Sequence, residues 1–145
     1  SKKGWKLDRT KDNGRAEELL KELELDVSPN TIVNTLTVAK QQMIEIAKGI
    51  SYDSKVLIMD EPTASLDFGN QIRVLEKIKQ LQHQNIALLI TTHNPQQAVY
   101  LAENIAMLDQ EFGFQQSEKS ELMTFENLAK IYRTSVQELQ KHLNL

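Results

Sequence analysis

Residues 55–63 read KVLIMDEPT, and this stretch decides the fold of the chain. The four apolar residues at 56–59 follow one another without alternating with polar ones. Such a run is typical of a strand covered on both faces, as in a parallel sheet between helices. The strand would deliver the adjacent carboxylates of Asp60 and Glu61 to the edge where parallel strands end, and ligands of open α/β sheets bind at that edge.

Strands and helices alternate beyond this stretch. Similar apolar runs at 86–90 and 105–108 predict two more strands. Apolar residues at helical spacing predict helices before and between the strands; they are Met43, Ile46, Ala47 and Ile50, then Val74, Leu75, Ile78 and Leu81, then Ala98, Val99 and Ala102. Three strands joined by helices imply a parallel sheet with right-handed crossovers, so the predicted fold class is α/β.

The two ends of the chain carry less pattern. Residues 1–14 show no period and predict a loop, followed by a short amphipathic helix from Ala16. After Gly113 the pattern predicts two small helices, one over 125–132 and one opened by a capping box of Ser135 and Glu138.

Composition excludes several classes of function. The 145 residues include 17 Lys and Arg against 20 Asp and Glu, a net charge of −3 that disfavours generic DNA binding. The apolar runs are far shorter than the ~20 residues that cross a bilayer. The chain has no cysteine, which excludes thiol nucleophiles and thiolate zinc sites, and its 3 scattered histidines disfavour a histidine-only metal site.

Two further polar groups belong with the acidic pair Asp60 and Glu61. His93 follows the second predicted strand, so a parallel crossover puts it on the same sheet edge. Residues 65–67 read SLD and lie just downstream of the pair. Taken singly, the acids could begin a solvated loop and the histidine could cap a helix. Together they favour phosphate chemistry, in which one acid holds Mg²⁺ through water and the other polarises an attacking water.

The order and spacing of these motifs resemble the ATP-binding domain of an ABC transporter. MDEPT at 59–63 resembles the Walker B motif with its catalytic glutamate, SLD at 65–67 resembles the D-loop, and His93 resembles the switch histidine. LTVAKQQM at 36–43 occupies the place of the family's LSGGQ signature. Ala39 replaces the second signature glycine, so a methyl group crowds an approaching phosphate, and Lys40 replaces the glutamine with a partly compensating cation.

The resemblance implies catalytic roles for Glu61, which would orient the hydrolytic water, and for His93, which would contact the γ-phosphate. Asp60 would bind Mg²⁺ through water. Asp67 would meet a second nucleotide-binding subunit, and the residues that would face that subunit's nucleotide are Thr37, Val38, Ala39 and Lys40. ATP and Mg²⁺ are therefore the expected cofactors of the intact domain.

The same resemblance implies the partners and the cellular place of the protein. A membrane permease and a second nucleotide-binding subunit are the expected partners, and no nucleic acid is expected. The expected place is the cytoplasm, peripheral to the inner face of the cell membrane.

The chain contains no GxxxxGK[ST], the loop whose amides and lysine cradle phosphates. In the family that loop would precede Ser1, so we expect the C-terminal portion of an ABC ATPase domain, inactive by itself. The expected fold is a partial P-loop NTPase (RecA-like) parallel sheet that lacks the phosphate-loop strand, with a small helical portion at each end. Residues 1–54 would belong to the helical and signature subdomain, 55–115 to the ATPase core and 116–145 to a C-terminal helical extension.

The strand order of the family implies that residues 55–59 pair in parallel with residues 86–91. Without a phosphate-loop strand, residues 86–91 would keep an unpaired edge, which is unfavourable for backbone N–H and C=O groups. We expect either that residues 105–108 close onto this edge or that two chains associate edge to edge.

The transported substrate stays open. Residues 28–66 look most like importers of sugars such as ribose or galactose, and the chain from about Asp67 looks like importers of iron-siderophore, cobalamin or molybdate type. A hybrid with a junction near residues 63–70 would explain both. Two other functions also stay open: the ABC-type ATPase head of a DNA-maintenance protein, whose long heptad arms this sequence lacks, and a non-catalytic remnant or interaction module.

Overall fold

The computed structural model of the chain describes residues 9–52, 54–111 and 113–143. A short 3-10 helix, Val33–Thr35, precedes α2. The other elements are, in chain order, α1 (Arg9–Glu22), α2 (Val38–Ser51), β1 (Val56–Asp60), α3 (Phe68–Leu81), β2 (Ala87–Thr91), α4 (Pro95–Leu101), β3 (Asn104–Asp109), β4 (Gly113–Glu118), α5 (Lys119–Leu122), α6 (Phe125–Tyr132) and α7 (Val136–His142). They form two compact units, Ser1–Ile90 and Thr91–Leu145. Among the helices described, none has the length and apolarity needed to cross a bilayer.

The first unit is built on a two-stranded parallel sheet of β1 and β2, joined by the crossover helix α3. The amide of Ala87 donates to the carbonyl oxygen of Lys55 at 2.9 Å, at the start of this pairing. The predicted α/β class and the predicted pairing of residues 55–59 with 86–91 are both confirmed.

Two helices supply most of the core of this unit. The buried side chains recur at the predicted helical spacing on each; they are Met43, Ile46 and Ala47 of α2 and Val74, Ile78 and Leu81 of α3. In β1 the side chain of Met59 is buried, and that of Leu57 lies against Gly49 of α2. The helical pattern in the sequence therefore identifies this part of the core.

The opposite face of the sheet differs from the expectation of a strand covered on both faces. Alternate side chains of a strand point to opposite faces. Accordingly Val56 and Ile58 are 56% and 68% exposed, and Leu89 of β2 is 58% exposed. The unbroken apolar run predicts a second covering layer, but this unit covers the side that bears Leu57 and Met59.

The first helix is longer than the sequence predicts. It begins at Arg9, within the stretch predicted as a loop, and not at Ala16. The prediction depended on an apolar stripe, which residues 9–14 lack because most of them are polar or charged. A hydrogen bond joins this helix to α2: the guanidinium of Arg15 donates to the carbonyl oxygen of Ser51 at 2.9 Å.

In the second unit the pairing of β3 corrects the predicted three-stranded parallel sheet. Strand β3 runs antiparallel to β4, with Asn104 opposite Glu118 and Asp109 opposite Gly113. The described residues form two separate two-stranded sheets, β1 with β2 and β3 with β4, so the expected closure of residues 105–108 onto residues 86–91 is wrong. The sequence GFQQSE of β4 has one large apolar residue and gives little sign of a strand. Association of two chains stays a prediction.

Three helices of the second unit, α4, α6 and α7, begin at side-chain caps. Asn94 caps α4, with Pro95 at the first helical position, and Thr124 caps α6. Ser135 accepts from the amide of Glu138 at the start of α7. The predicted helices over 125–132 and after Ser135 are confirmed, whereas the short α5 was not predicted. The buried apolar side chains among the residues described here are Leu101, Ile105, Leu122 and Leu128.

Candidate functional site

The acidic pair lies at the carboxyl end of β1. Asp60 is the last residue of the strand and its side chain is exposed. Glu61 follows with φ of +44°, in the left-handed region that is uncommon for a residue with a side chain. Neighbouring side chains at a strand end diverge, so two carboxylates placed in this way can serve different tasks. The placement matches the one predicted from KVLIMDEPT.

Two successive turns lead from the acidic pair into α3. The amide of Ala64 donates to the carbonyl oxygen of Glu61 at 2.9 Å, and that of Leu66 to the carbonyl oxygen of Thr63 at 3.3 Å. Ser65 has φ of +63°. Thr63 and Leu66 are buried, so the connection is packed against the rest of the protein at these two residues. Glu61 and Ser65 both have left-handed backbone conformations, although neither is glycine. The connection is therefore strained, and such strain is typical of functional loops.

Asp67 caps the amino end of α3. Its Oδ1 accepts from the amide of Asn70 at 3.1 Å, and its Oδ2 accepts from the side-chain amide of the same residue at 2.6 Å. These hydrogen bonds, the backbone one first, lower the pKa of the exposed Asp67 carboxyl below its ordinary value. The aspartate of the D-loop-like segment therefore serves as a helix cap in this structure.

The signature-like segment forms the start of α2. The hydroxyl of Thr37 accepts from the amide of Lys40 at 3.4 Å, which makes Thr37 the cap of the helix. Val38 is exposed, and Ala39 is half-buried. The ammonium group of Lys40 donates to the carbonyl oxygen of Asp26 at 3.3 Å. The cation expected to compensate for the missing signature residues is thus engaged with the backbone of the preceding loop.

Helices α2 and α3 begin with the same hydrogen-bonding arrangement, which the sequence analysis missed. The side-chain amide of Gln41 donates to the carbonyl oxygen of Leu36 at 2.9 Å, and that of Gln71 donates to the carbonyl oxygen of Leu66 at 3.0 Å. In each case the glutamine lies four residues after the capping residue, and its side chain donates to the residue that precedes the capping residue. The shared pattern of Leu, a capping residue and Gln four positions later could have revealed it.

The structure separates the signature-like segment from the acidic pair. Helix α2 reaches β1 at Gly49, which lies 49 − 38 = 11 residues beyond Val38. At 1.5 Å per residue this is about 16 Å along the helix axis. Thr37 to Lys40 therefore occupy the end of α2 away from its contact with β1, where a ligand would be held apart from the acidic pair.

His93 belongs to the second unit, in the turn between β2 and α4. Its carbonyl oxygen accepts the hydroxyl hydrogen of Tyr132, at an O–O distance of 3.0 Å. The amide of Asn94 donates to the hydroxyl oxygen of Thr92 at 3.1 Å. Burial raises the pKa of Tyr132 above its ordinary value. The sequence predicts a helix over 125–132 but gives no sign of this contact.

Asp60 is the residue whose chemistry fits a magnesium ion. The described residues bring together no three His, Asp or Glu side chains that could hold a metal. A Mg²⁺ in a nucleotide site takes one or two carboxylates and completes its shell with phosphate and water oxygens. A single exposed carboxylate at a strand end is compatible with that kind of site.

Comparison with known proteins gives a consistent family. Residues 2–64 match the family model described as ABC transporter. An uncharacterised ABC transporter ATP-binding protein of Haemophilus influenzae is 61% identical over 125 residues, which are 86% of this chain and 48% of that protein. The galactose/methyl galactoside import ATP-binding protein of Clostridium perfringens is 34% identical over 107 residues, or 74% of this chain and 21% of that protein.

Solved structures agree with the sequence relatives. A transporter described as of the metal-chelate type, in an inward-facing conformation, superposes with a TM-score of 0.81 at 31% identity, over 89% of this chain and 52% of that one. A dimeric ATP-binding cassette bound to ADP and Pi superposes with a TM-score of 0.62 at 22% identity, over 81% of this chain and 51% of that one, and shares the fold.

These matches also bear on the suspected junction near residues 63–70. An alignment of 125 residues in a chain of 145 must include residues 21–125, so the Haemophilus influenzae protein resembles this chain on both sides of that point. Because one natural relative matches both sides, a hybrid origin is not needed to explain the two resemblances.

Sugar-importer and metal-chelate relatives both appear, and the chain spans about half the length of the Haemophilus influenzae protein and a fifth of the sugar importer. The chain is therefore similar to ABC transporter ATP-binding proteins over the part of their length that it spans.

Proposed function

We propose that this chain is the part of an ABC importer's ATP-binding subunit that supplies the Walker B acids, the D-loop, the switch histidine and a degenerate signature. In the intact subunit it would couple ATP hydrolysis to transport through a membrane permease. The subunit would lie in the cytoplasm at the inner face of the cell membrane and pair with a second nucleotide-binding subunit. Relatives that import sugars support a role in import, and a structure described as a metal-chelate type ABC transporter supports a role in transport.

The observation that carries the proposal is the placement of Asp60 and Glu61 at the carboxyl end of a parallel strand. Asp60 would hold Mg²⁺ through water, and the Mg²⁺ would neutralise charge on the phosphates of ATP. Glu61 would orient the hydrolytic water and accept its proton, and the left-handed backbone at Glu61 supports a distinct direction for its side chain. His93 would contact the γ-phosphate.

The remaining site residues would serve the subunit interface. Asp67 would meet the partner subunit from the start of α3. The amino end of α2 would present backbone N–H groups to the partner's nucleotide, since a helix amino end favours anions. The residues that would do so are Thr37, Val38, Ala39 and Lys40. The separation of this end of α2 from the acidic pair supports their serving a different nucleotide.

The proposal includes a division of the chain into three parts. Residues 1–54 would belong to the helical and signature subdomain, 55–115 to the ATPase core and 116–145 to a helical extension. The apolar face that bears Ile58 and Leu89 supports the view that this core is one part of a larger domain, because such a face is normally covered.

Calorimetry with ATP and Mg²⁺ tests the chain by itself. We expect a dissociation constant weaker than ~1 mM, roughly −4 kcal/mol, because a metal-holding carboxylate contributes little without a phosphate cradle. Mg²⁺-dependent binding below that value would contradict the expectation and indicate a phosphate site elsewhere in the chain.

Turnover tests the role of Glu61 in a longer form of the protein that carries a phosphate loop. Glu61→Gln keeps the shape of the side chain and removes the proton acceptor, so it should abolish most ATP hydrolysis while nucleotide binding persists. Near-normal hydrolysis by this variant would overturn the assignment of Glu61 as general base.

A further inference from the structure

The peptide unit between His93 and Asn94 is held at both of its polar atoms. Its N–H donates to the hydroxyl oxygen of Thr92 at 3.1 Å, and its carbonyl oxygen accepts from the hydroxyl of Tyr132 at 3.0 Å. A planar peptide unit bonded on both sides cannot rotate without losing one of these hydrogen bonds. Because the rotation of this plane sets ψ of His93, the two bonds also restrict the direction in which the imidazole leaves the backbone.

The two residues that hold the peptide unit are themselves fixed within the second unit. The hydroxyl of Thr92 also donates to the side-chain oxygen of Gln97 at 3.3 Å, and Gln97 is buried. Tyr132 is the last residue of α6, and the helix is closed there by a hydrogen bond from the amide of Thr134 to the carbonyl oxygen of Ala129 at 3.0 Å. The hydroxyl of Tyr132 is therefore presented from a fixed helix end.

We propose that Tyr132 is a positioning residue for His93: its hydroxyl holds the His93 carbonyl and thereby restricts the direction of the imidazole. The proposal rests on the phosphate-contacting role proposed for His93. The role proposed for Tyr132 needs no contact with a nucleotide. Tyr132 acts through the backbone of a residue 39 positions earlier, which connects the C-terminal helices to the turn after β2.

The chemistry of the tyrosine suits a permanent donor. Partial burial raises the pKa of Tyr132, a residue that is 42% exposed, so its hydroxyl keeps its proton at neutral pH and continues to donate. Phenylalanine would retain the ring and lose only this donor, which makes Tyr132→Phe a specific probe.

The first test is nuclear magnetic resonance of the isotope-labelled chain. In Tyr132→Phe we expect the carbonyl carbon of His93 and the amide of Asn94 to change chemical shift. Exchange of the Asn94 amide should be faster by about fivefold, the factor that matches a hydrogen bond of ~1 kcal/mol. The matched control is Tyr52→Phe, at a tyrosine that is 78% exposed, which should leave both resonances in place. An unchanged His93 carbonyl resonance in Tyr132→Phe would overturn the proposal.

The second test is ATP turnover in a longer form of the protein that carries a phosphate loop. Tyr132→Phe should lower kcat about fivefold with KM unchanged, and it should have no further effect in a His93→Ala background. If His93→Ala leaves turnover intact, the proposed role of His93 fails even when the resonances of Tyr132→Phe shift. If His93→Ala abolishes turnover while Tyr132→Phe changes neither kcat nor the resonances, the positioning role alone is overturned.

Discussion

Gly49 of α2 packs directly against Leu57 of β1. A methyl group at position 49 would fall well inside van der Waals contact with Cδ1 of Leu57. Leu57 lies three residues before Asp60, so this contact joins the helix that begins with the signature-like segment to the strand that ends in the acidic pair. Glycine in a helix interior is ordinarily unfavourable, and here close approach of the strand explains it.

Gly49→Ala should destabilise the chain by about 1 kcal/mol. Overpacking costs ~1–3 kcal/mol, and the better helix propensity of alanine offsets up to ~1 kcal/mol of it. In a Leu57→Ala background the obstructing side chain is gone, so the same substitution at position 49 should be neutral or stabilising. Urea denaturation of the four proteins measures the difference, and equal effects of Gly49→Ala in both backgrounds would contradict the packing assignment.

Thr37→Ala should lower the free energy of unfolding by about 0.5–1 kcal/mol, because the cap of α2 loses its side-chain acceptor. We expect the lower part of the usual range, since the hydrogen bond to the amide of Lys40 is long at 3.4 Å. Thr37→Ser retains a hydroxyl and is the matched control. A denaturation midpoint of Thr37→Ala equal to that of Thr37→Ser would show that the hydroxyl does not cap the helix.

The stability contributed by the Asp67 carboxylate should disappear in acid. Its pKa is lower in the folded chain than the value of 3.8 expected without these contacts, so the folded state binds its proton less readily. The contribution is present above pH ~4 and is lost as the pH falls through the folded pKa. Asp67→Asn keeps a capping side chain without a titratable group. The stability difference between the two proteins, followed from pH 6 to pH 2.5, should shrink or reverse in acid; a constant difference would contradict it.

The uncovered sheet face should make the isolated chain associate with itself. Ile58 and Leu89 are both more than half exposed, and apolar sheet faces of this kind promote pairing of chains. Ile58→Lys and Leu89→Lys should each shift the chain toward the monomer in analytical ultracentrifugation, with unfolding free energy changed by no more than ~0.5–1 kcal/mol. Gln80→Lys, an exposed polar position on α3, is the charge-matched control. A native chain that is monomeric at high concentration would refute the prediction.

Local sequence was sufficient for much of this structure. The spacing of Val74, Ile78 and Leu81 predicted α3, the run VLIM at 56–59 predicted β1, and the capping box of Ser135 and Glu138 predicted the start of α7. These features depend on residues within about four positions of one another, because helix faces and caps have that range. The carboxylates of Asp60 and Glu61 were located for the same reason, since Asp60 ends the strand and Glu61 directly follows it.

Tertiary structure decided what depends on distant partners. The antiparallel pairing of β3 with β4 overrode the parallel arrangement expected for residues 105–108, because backbone groups pair with whichever strand packing brings beside them. The contacts of Lys40 with Asp26 and of Tyr132 with His93 join residues far apart in the chain, and no local period encodes them. Sequence by itself thus determined where the candidate residues lie along the strands and helices, while the three-dimensional packing decided which backbone groups and neighbours hold them.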